Sequence, residues 1–171
     1  MDRLDSGSMQ VLIGVVFGGL ITAGTTLFFE WYRDRRDSQR LAKAFRGEIK
    51  ALQAIVEKRQ YIEQLRKIIG IISAEGRSFN LVIRVRREYF RVYETNIDKI
   101  GLLKNPLPEQ IAAFYVRANA ILEDLNTLDE GLWQDRPPEQ QIEFYSELLA
   151  LFEETMRDAS VIIEVINEKY S

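Results

Sequence analysis

Residues 9–36 read MQVLIGVVFGGLITAGTTLFFEWYRDRR, and this stretch divides the chain into two chemically different parts. Met9 to Phe29 is a run of 21 residues without a charge, whose polar members are Gln10, Thr22, Thr25 and Thr26. As an α-helix it would be about 30 Å long, which matches the hydrocarbon core of a bilayer. Trp31 and Tyr32 follow where aromatic rings anchor at a headgroup layer, and Arg33, Arg35, Arg36 and Arg40 come next. Upstream stands Arg3, beside Asp2 and Asp5. Basic flanks stay on the cytoplasmic side. The pattern therefore predicts a short extracytoplasmic N-terminus (1–8), a transmembrane helix (9–32) and a cytoplasmic remainder (33–171). A cleaved signal peptide would carry its basic residues ahead of a shorter apolar core, the reverse of this order.

Inside the run, Gly14 and Gly18 form a GxxxG pattern that Thr22 continues. Small residues in register let two backbones approach, so the stripe is a candidate association seam; glycine is also common in membrane helices generally. Either reading fits the spacing.

Composition narrows the chemistry. Among 171 residues there is no cysteine and no histidine, and the net charge is -3. Thiolate nucleophiles, zinc-thiolate sites and disulfides are excluded. So is the side chain most often used as a general base or transition-metal ligand. No phosphate-binding glycine loop, HExxH, GxSxG or calcium-loop pattern occurs. Neither catalysis nor a cofactor is expected, and no catalytic or metal-binding residues are assigned.

Beyond residue 38 the apolar spacing is helical. Ala42, Phe45, Ile49, Leu52 and Val56 step by three and four, and Ile62, Leu65, Ile69 and Ile72 resume after a charged interruption at Glu57–Gln60. This predicts one long amphipathic helix with a register shift, ended by Gly76. Phe79, Leu81, Ile83 and Val85 alternate with Asn80, Val82 and Arg84 as in a short extended piece. Tyr89, Val92, Asn96 and Ile100 return to helical spacing, closed by Gly101. Further helices follow, through Ile111–Leu128 and Ile142–Tyr170. Both start with Pro-Glu-Gln, at 108 and 138, ordinary helix-start chemistry. The last helix carries an unbroken seam of Ile142, Tyr145, Leu149, Phe152, Met156, Ala159, Ile163, Ile166 and Tyr170, long enough to predict that part of it meets a second copy. The fold expected is all-α: one N-terminal transmembrane helix plus a cytoplasmic bundle of about four helices.

Charge is segregated. Residues 30–104 hold 18 Lys/Arg against 10 Asp/Glu, and residues 105–171 hold 4 against 14. A basic first helix lying beside an acidic last one would account for this, and so would a basic half lying near anionic lipid. The acidic half argues against nucleic acid as the main partner. Arg84, Arg86, Arg87 and Arg91, interleaved with Tyr89, Phe90 and Tyr93, form a candidate site for a small anionic ligand such as a nucleotide. Alternatively these arginines bridge to the acidic last helix. Asn96, on an otherwise apolar face, reads as a satisfied amide.

Tyr89-Phe90, Tyr93, Asn96 and Ile100-Gly101-Leu102-Leu103, followed by a proline loop and Phe114-Tyr115, resemble a pattern in small bacterial single-span membrane proteins with a helical cytoplasmic domain. The resemblance covers about residues 30–130 and implies a bacterial inner-membrane location, with no activity attached. The function expected is that of a non-enzymatic, homo-oligomeric membrane-anchored adaptor or signalling subunit with a protein partner in the cytoplasm. The alternative is a membrane effector of an antiphage system (CRISPR or cyclic-nucleotide), whose bundle binds a small anionic signal and perturbs the bilayer.

Overall fold

The computed structural model describes residues 6–79, 81, 83 and 89–170, with side chains except at 6–28, 30 and 31. Among these residues five α-helices and one 3₁₀ segment follow in order: α1 (Ser6–Arg59), α2 (Tyr61–Glu75), α3 (Arg91–Asn96), the 3₁₀ segment Ile97–Leu102, α4 (Leu107–Asp129) and α5 (Pro138–Lys169). Among the described residues there is no strand. The extended piece expected over 79–85 forms no strand where it is described, with Ile83 buried and Leu81 packed against the same core cluster.

The long first amphipathic helix is in fact two helices. Gln60 takes a left-handed conformation (φ 54°, ψ 38°), which ends α1 and starts α2. The Gln64 side chain donates to the carbonyl of Arg59 at 2.9 Å, and so caps the helix end that the break exposes. The physical reason is register. α1 buries Leu41, Ala42, Phe45 and Ile49, and α2 buries Tyr61, Leu65, Ile68 and Ile72. One left-handed residue re-aims the second stripe so that both lie along α5.

Packing along α5 is antiparallel throughout. Arg46 donates to Asn167 at 2.7 Å and Gln53 to Ser160 at 3.0 Å. The Tyr61 and Phe152 rings are 5.8 Å apart, and Arg66 pairs with Glu153 at 2.5 Å. The main-chain N–H of Phe79 reaches the Gln141 side chain at 2.8 Å. Numbers rise along α1 and α2 as they fall along α5. α4 covers the other side of α5, where Arg117 bonds Asp158 and lies 3.8 Å from Glu154.

The core has two clusters. In one, the N-terminal half of α4 (Leu107, Ile111, Phe114, Tyr115) meets α1 and the C-terminal half of α5. In the other, the C-terminal half of α4 (Ile121, Leu125, Leu128) meets α2 and the N-terminal half of α5. An apolar cavity of about 60 Å³ lies where they join, beside the break at Gln60, lined by residues that include Val56, Tyr61, Ala118, Phe152 and Met156.

The seam on α5 is rotated from its sequence reading. Buried are Gln141, Tyr145, Leu148, Phe152, Thr155, Ala159, Ile162 and Ile166, whereas Ile142, Leu149, Met156 and Ile163 are half-buried. This wide face packs mainly on α1, α2 and α4 of the same chain, which leaves the row of Ile142, Leu149, Met156 and Ile163 half-buried. Gly76 ends α2 as expected, with φ 61° and its N–H on the carbonyl of Ile72. Gly101 does not close a helix: it lies inside the 3₁₀ segment.

The helix predicted to span a membrane, 9–32, falls almost wholly on residues whose side chains lie outside the description. Among the described residues no helix is long and apolar enough to cross a membrane.

Gln60 supplies a stability test. A side chain in the left-handed region costs about 1 kcal/mol, which glycine avoids. Gln60→Gly should raise the thermal midpoint of the full chain in detergent, and Gln60→Val should lower it, followed by circular dichroism.

Candidate functional site

α1 enters the bundle at Ser38, its first buried side chain among the described residues. Tyr32, Arg33, Arg35 and Arg36, on the exposed turns before it, have side chains in solvent, as does Arg40 one turn further. Those of Gly14, Gly18, Thr22 and Trp31 lie outside the described residues.

A polar knot closes this end. The Ser38 hydroxyl donates to the carbonyl of Leu102 at 2.7 Å and accepts from the Tyr170 hydroxyl at 2.8 Å. Tyr170 in turn accepts the main-chain N–H of Lys104 at 2.7 Å. Each hydroxyl is thus both donor and acceptor, and the directions are mutually consistent. Lys104 Nζ donates to the carbonyl of Lys169 at 2.8 Å and sits 5.0 Å from the Tyr170 ring centre. A cation at the C-terminus of α5 complements the partial negative charge there.

Leu102 separates two clefts at this end. One, of about 380 Å³, lies among Arg35, Ser38, Lys104 and Tyr170. The other, of about 460 Å³, has Asp37, Arg40 and Leu41 on α1 and Asn96, Lys99 and Leu102 opposite. Each cleft brings one arginine of α1 to one lysine of the segment after α3. In a 3₁₀ helix residues three apart eclipse, which puts Asn96, Lys99 and Leu102 on a single face toward α1. That spacing of three is legible in the sequence; its partner on α1 is not.

The second junction is electrostatic. Glu48 of α1 accepts the main-chain N–H groups of Val92 at 2.6 Å and Tyr93 at 3.2 Å, and also the hydroxyl of Tyr115. One carboxylate therefore caps the first turn of α3 and satisfies a buried phenol of α4. Tyr93 stacks on Tyr115 at 4.1 Å, and Phe90 meets it edge-on at 5.5 Å. Burial first, then the adjoining Glu48, hold the Tyr115 phenol well above its usual value of 10.0. Burial likewise raises Tyr145, offset in part by a main-chain hydrogen bond from Leu81. Burial and the neighbouring carboxylates of Glu123 and Glu147 raise Asp124.

Of the proposed anion-binding arginines, Arg84, Arg86 and Arg87 lie outside the described residues, and Arg91 is exposed at the start of α3. The described contacts to the acidic α5 come instead from Arg46, Arg66, Lys104 and Arg117. The Asn96 side chain donates to the carbonyl of Val92 at 2.9 Å, a local satisfied amide. Among the described residues no cluster of acidic side chains could hold a metal ion. Sequence reasoning passed over Ser38, Glu48 and Gln141. All three are polar residues that act through main-chain groups, which leave no periodic signal.

No family model matches the chain, and neither does a curated protein or a solved structure.

Tyr115 makes stability fall at high pH. Its folded value is raised, so the stability it contributes is complete below pH 10 and is lost as pH rises beyond the unfolded value. The slope for one such group is about 1.4 kcal/mol per pH unit. Between pH 10 and 11 the unfolding free energy of the full chain should fall more steeply than that of Tyr115→Phe, measured by denaturant titration. Parallel slopes would remove Tyr115 from the alkaline transition.

Proposed function

We propose that this chain is a single-pass inner-membrane protein of a bacterium, anchored by residues 9–32, with its N-terminus outside and its helical bundle in the cytoplasm. Its role is non-enzymatic: a membrane-anchored adaptor or signalling subunit, self-associating through the Gly14, Gly18 and Thr22 stripe and presenting the bundle to a protein partner.

The observation that carries this reading is the continuity of α1. One helix of 54 residues, Ser6–Arg59, joins the charge-free run to the bundle core. A rotation or axial shift of the run is therefore delivered to Leu41, Phe45 and Ile49 without an intervening hinge. The first break, at Gln60, falls between the two core clusters. Anchors that only tether do not need such a coupling, since a flexible linker serves them as well. The orientation rests on the arginines at 33, 35, 36 and 40, because basic flanks set topology and acidic residues contribute little.

A reporter fused after Ser171 should be active only in its cytoplasmic form in a bacterial host. Neutral replacement of Arg33, Arg35, Arg36 and Arg40 should weaken or invert that result. Periplasmic activity of the unmodified chain would overturn the orientation.

Association has its own test. Gly14→Leu with Gly18→Leu removes the close backbone approach and should lower the associated fraction in mild detergent, read by sedimentation across a concentration series. A native chain that stays monomeric throughout the series would end the proposal of a self-associating subunit.

A further inference from the structure

We propose that the cleft between Arg40 and Lys99, with the exposed Leu102 at its margin, docks on the headgroup of an anionic phospholipid. The proposal rests on the membrane reading above and extends it from the anchor to the bundle. Its base is a convergence of separate elements. Arg40 comes from α1 and Lys99 from the 3₁₀ segment, and both line one cleft of about 460 Å³. Ile97 is 53% and Leu102 is 42% exposed, two apolar side chains left in solvent on a segment of six residues. Within 33–43 and 96–104 the charged residues are seven basic and three acidic. The acids facing this end are Asp34 and Asp37, with Asp98 on the 3₁₀ segment; Asp37 lies 3.8 Å from Arg40.

The level along the helix suits the partner. Helical side chains lean toward the helix N-terminus, and the contact from Arg40 to Asp37 follows that direction. The guanidinium thus sits near the level of residue 37, about 12 Å along the axis past Phe29. A headgroup layer extends about 5–8 Å beyond the hydrocarbon. The remaining gap is shorter than the Debye length of about 8 Å at physiological ionic strength. Cations at this level lie within reach of the negative surface potential of an anionic leaflet, which falls off within a Debye length.

The chain has no cysteine, so one substitution gives one labelling site. At Gly101 an added Cβ meets nothing within 4 Å. The full chain carrying Gly101→Cys, labelled with a fluorophore, is placed in phosphatidylcholine nanodiscs with and without about one-third phosphatidylglycerol. Quenching by a headgroup nitroxide lipid should be about twofold stronger with phosphatidylglycerol. High salt should abolish that difference, and so should Arg40→Glu with Lys99→Glu, whereas Lys99→Arg should retain it. Equal quenching in both compositions, or a difference that survives the double reversal, would overturn the proposal. A second probe at Ala23→Cys, read against an acyl-chain nitroxide, separates the two readings. If it is quenched while the Gly101 probe ignores lipid charge, only the docking cleft falls; if it is not quenched, the anchor falls and the cleft with it.

Discussion

The structure depends on the width of the apolar face of α5. Two adjacent rows are buried, Gln141, Leu148, Thr155 and Ile162 beside Tyr145, Phe152, Ala159 and Ile166, with a third half-buried row alongside. A face that wide cannot be covered by one neighbouring helix, because a single helix contact occupies a narrow seam. α5 therefore requires a rod on each side. α4 supplies one, and α1 joined to α2 supplies the other. The break at Gln60 follows from the same requirement: a straight helix drifts off a long partner, and one left-handed residue restores the contact. The cavity beside that break is where the two halves of the core meet imperfectly.

Polar groups close what the apolar rows leave open. At one end Ser38 and Tyr170 tie α1 to α5 and to the segment after α3. At the other, the fully buried Gln141 accepts from the N–H of Phe79 and donates to the carbonyl of Trp133 at 2.6 Å, which fixes both loops against the start of α5. Glu48 does the same for α3, a helix of six residues that buries no side chain of its own completely. A helix that short has little intrinsic stability, so its capping carboxylate and the aromatic stack on Tyr115 hold it. Surface ion pairs such as Arg66–Glu153 add little to this, since both partners are well exposed.

The same arrangement gives the proposed function its physical content. The bundle meets α1 through buried side chains from Ser38 to Ile49, and its basic clefts open at the end from which α1 departs. Under that proposal an event at the anchor and an event at the bundle are mechanically one event. A linker rich in glycine or serine would have uncoupled them.

Much of this was legible in the residues. Proline at 108 and 138 and glycine at 76 mark helix ends because ring closure and positive φ are local constraints that need no neighbours. The all-helical class follows from apolar spacing of three and four, and the division of charge follows from counting. The buried row of α5 did not. Ile142 outranks Gln141 and Met156 outranks Thr155 on any scale of hydrophobicity, yet Gln141 and Thr155 are the buried ones. Position relative to α4 and to the α1–α2 rod decides burial, and hydrogen bonds to Trp133, Phe79 and Leu151 satisfy the two polar side chains there. The meeting of Arg40 with Lys99 and of Glu48 with α3 is likewise tertiary, because residues 44 to 59 positions apart carry no shared period. Sequence alone determined what each segment could be, through forces acting within a few turns; only the packed structure decided which face turned inward and which charges met, because those depend on neighbours distant in the chain.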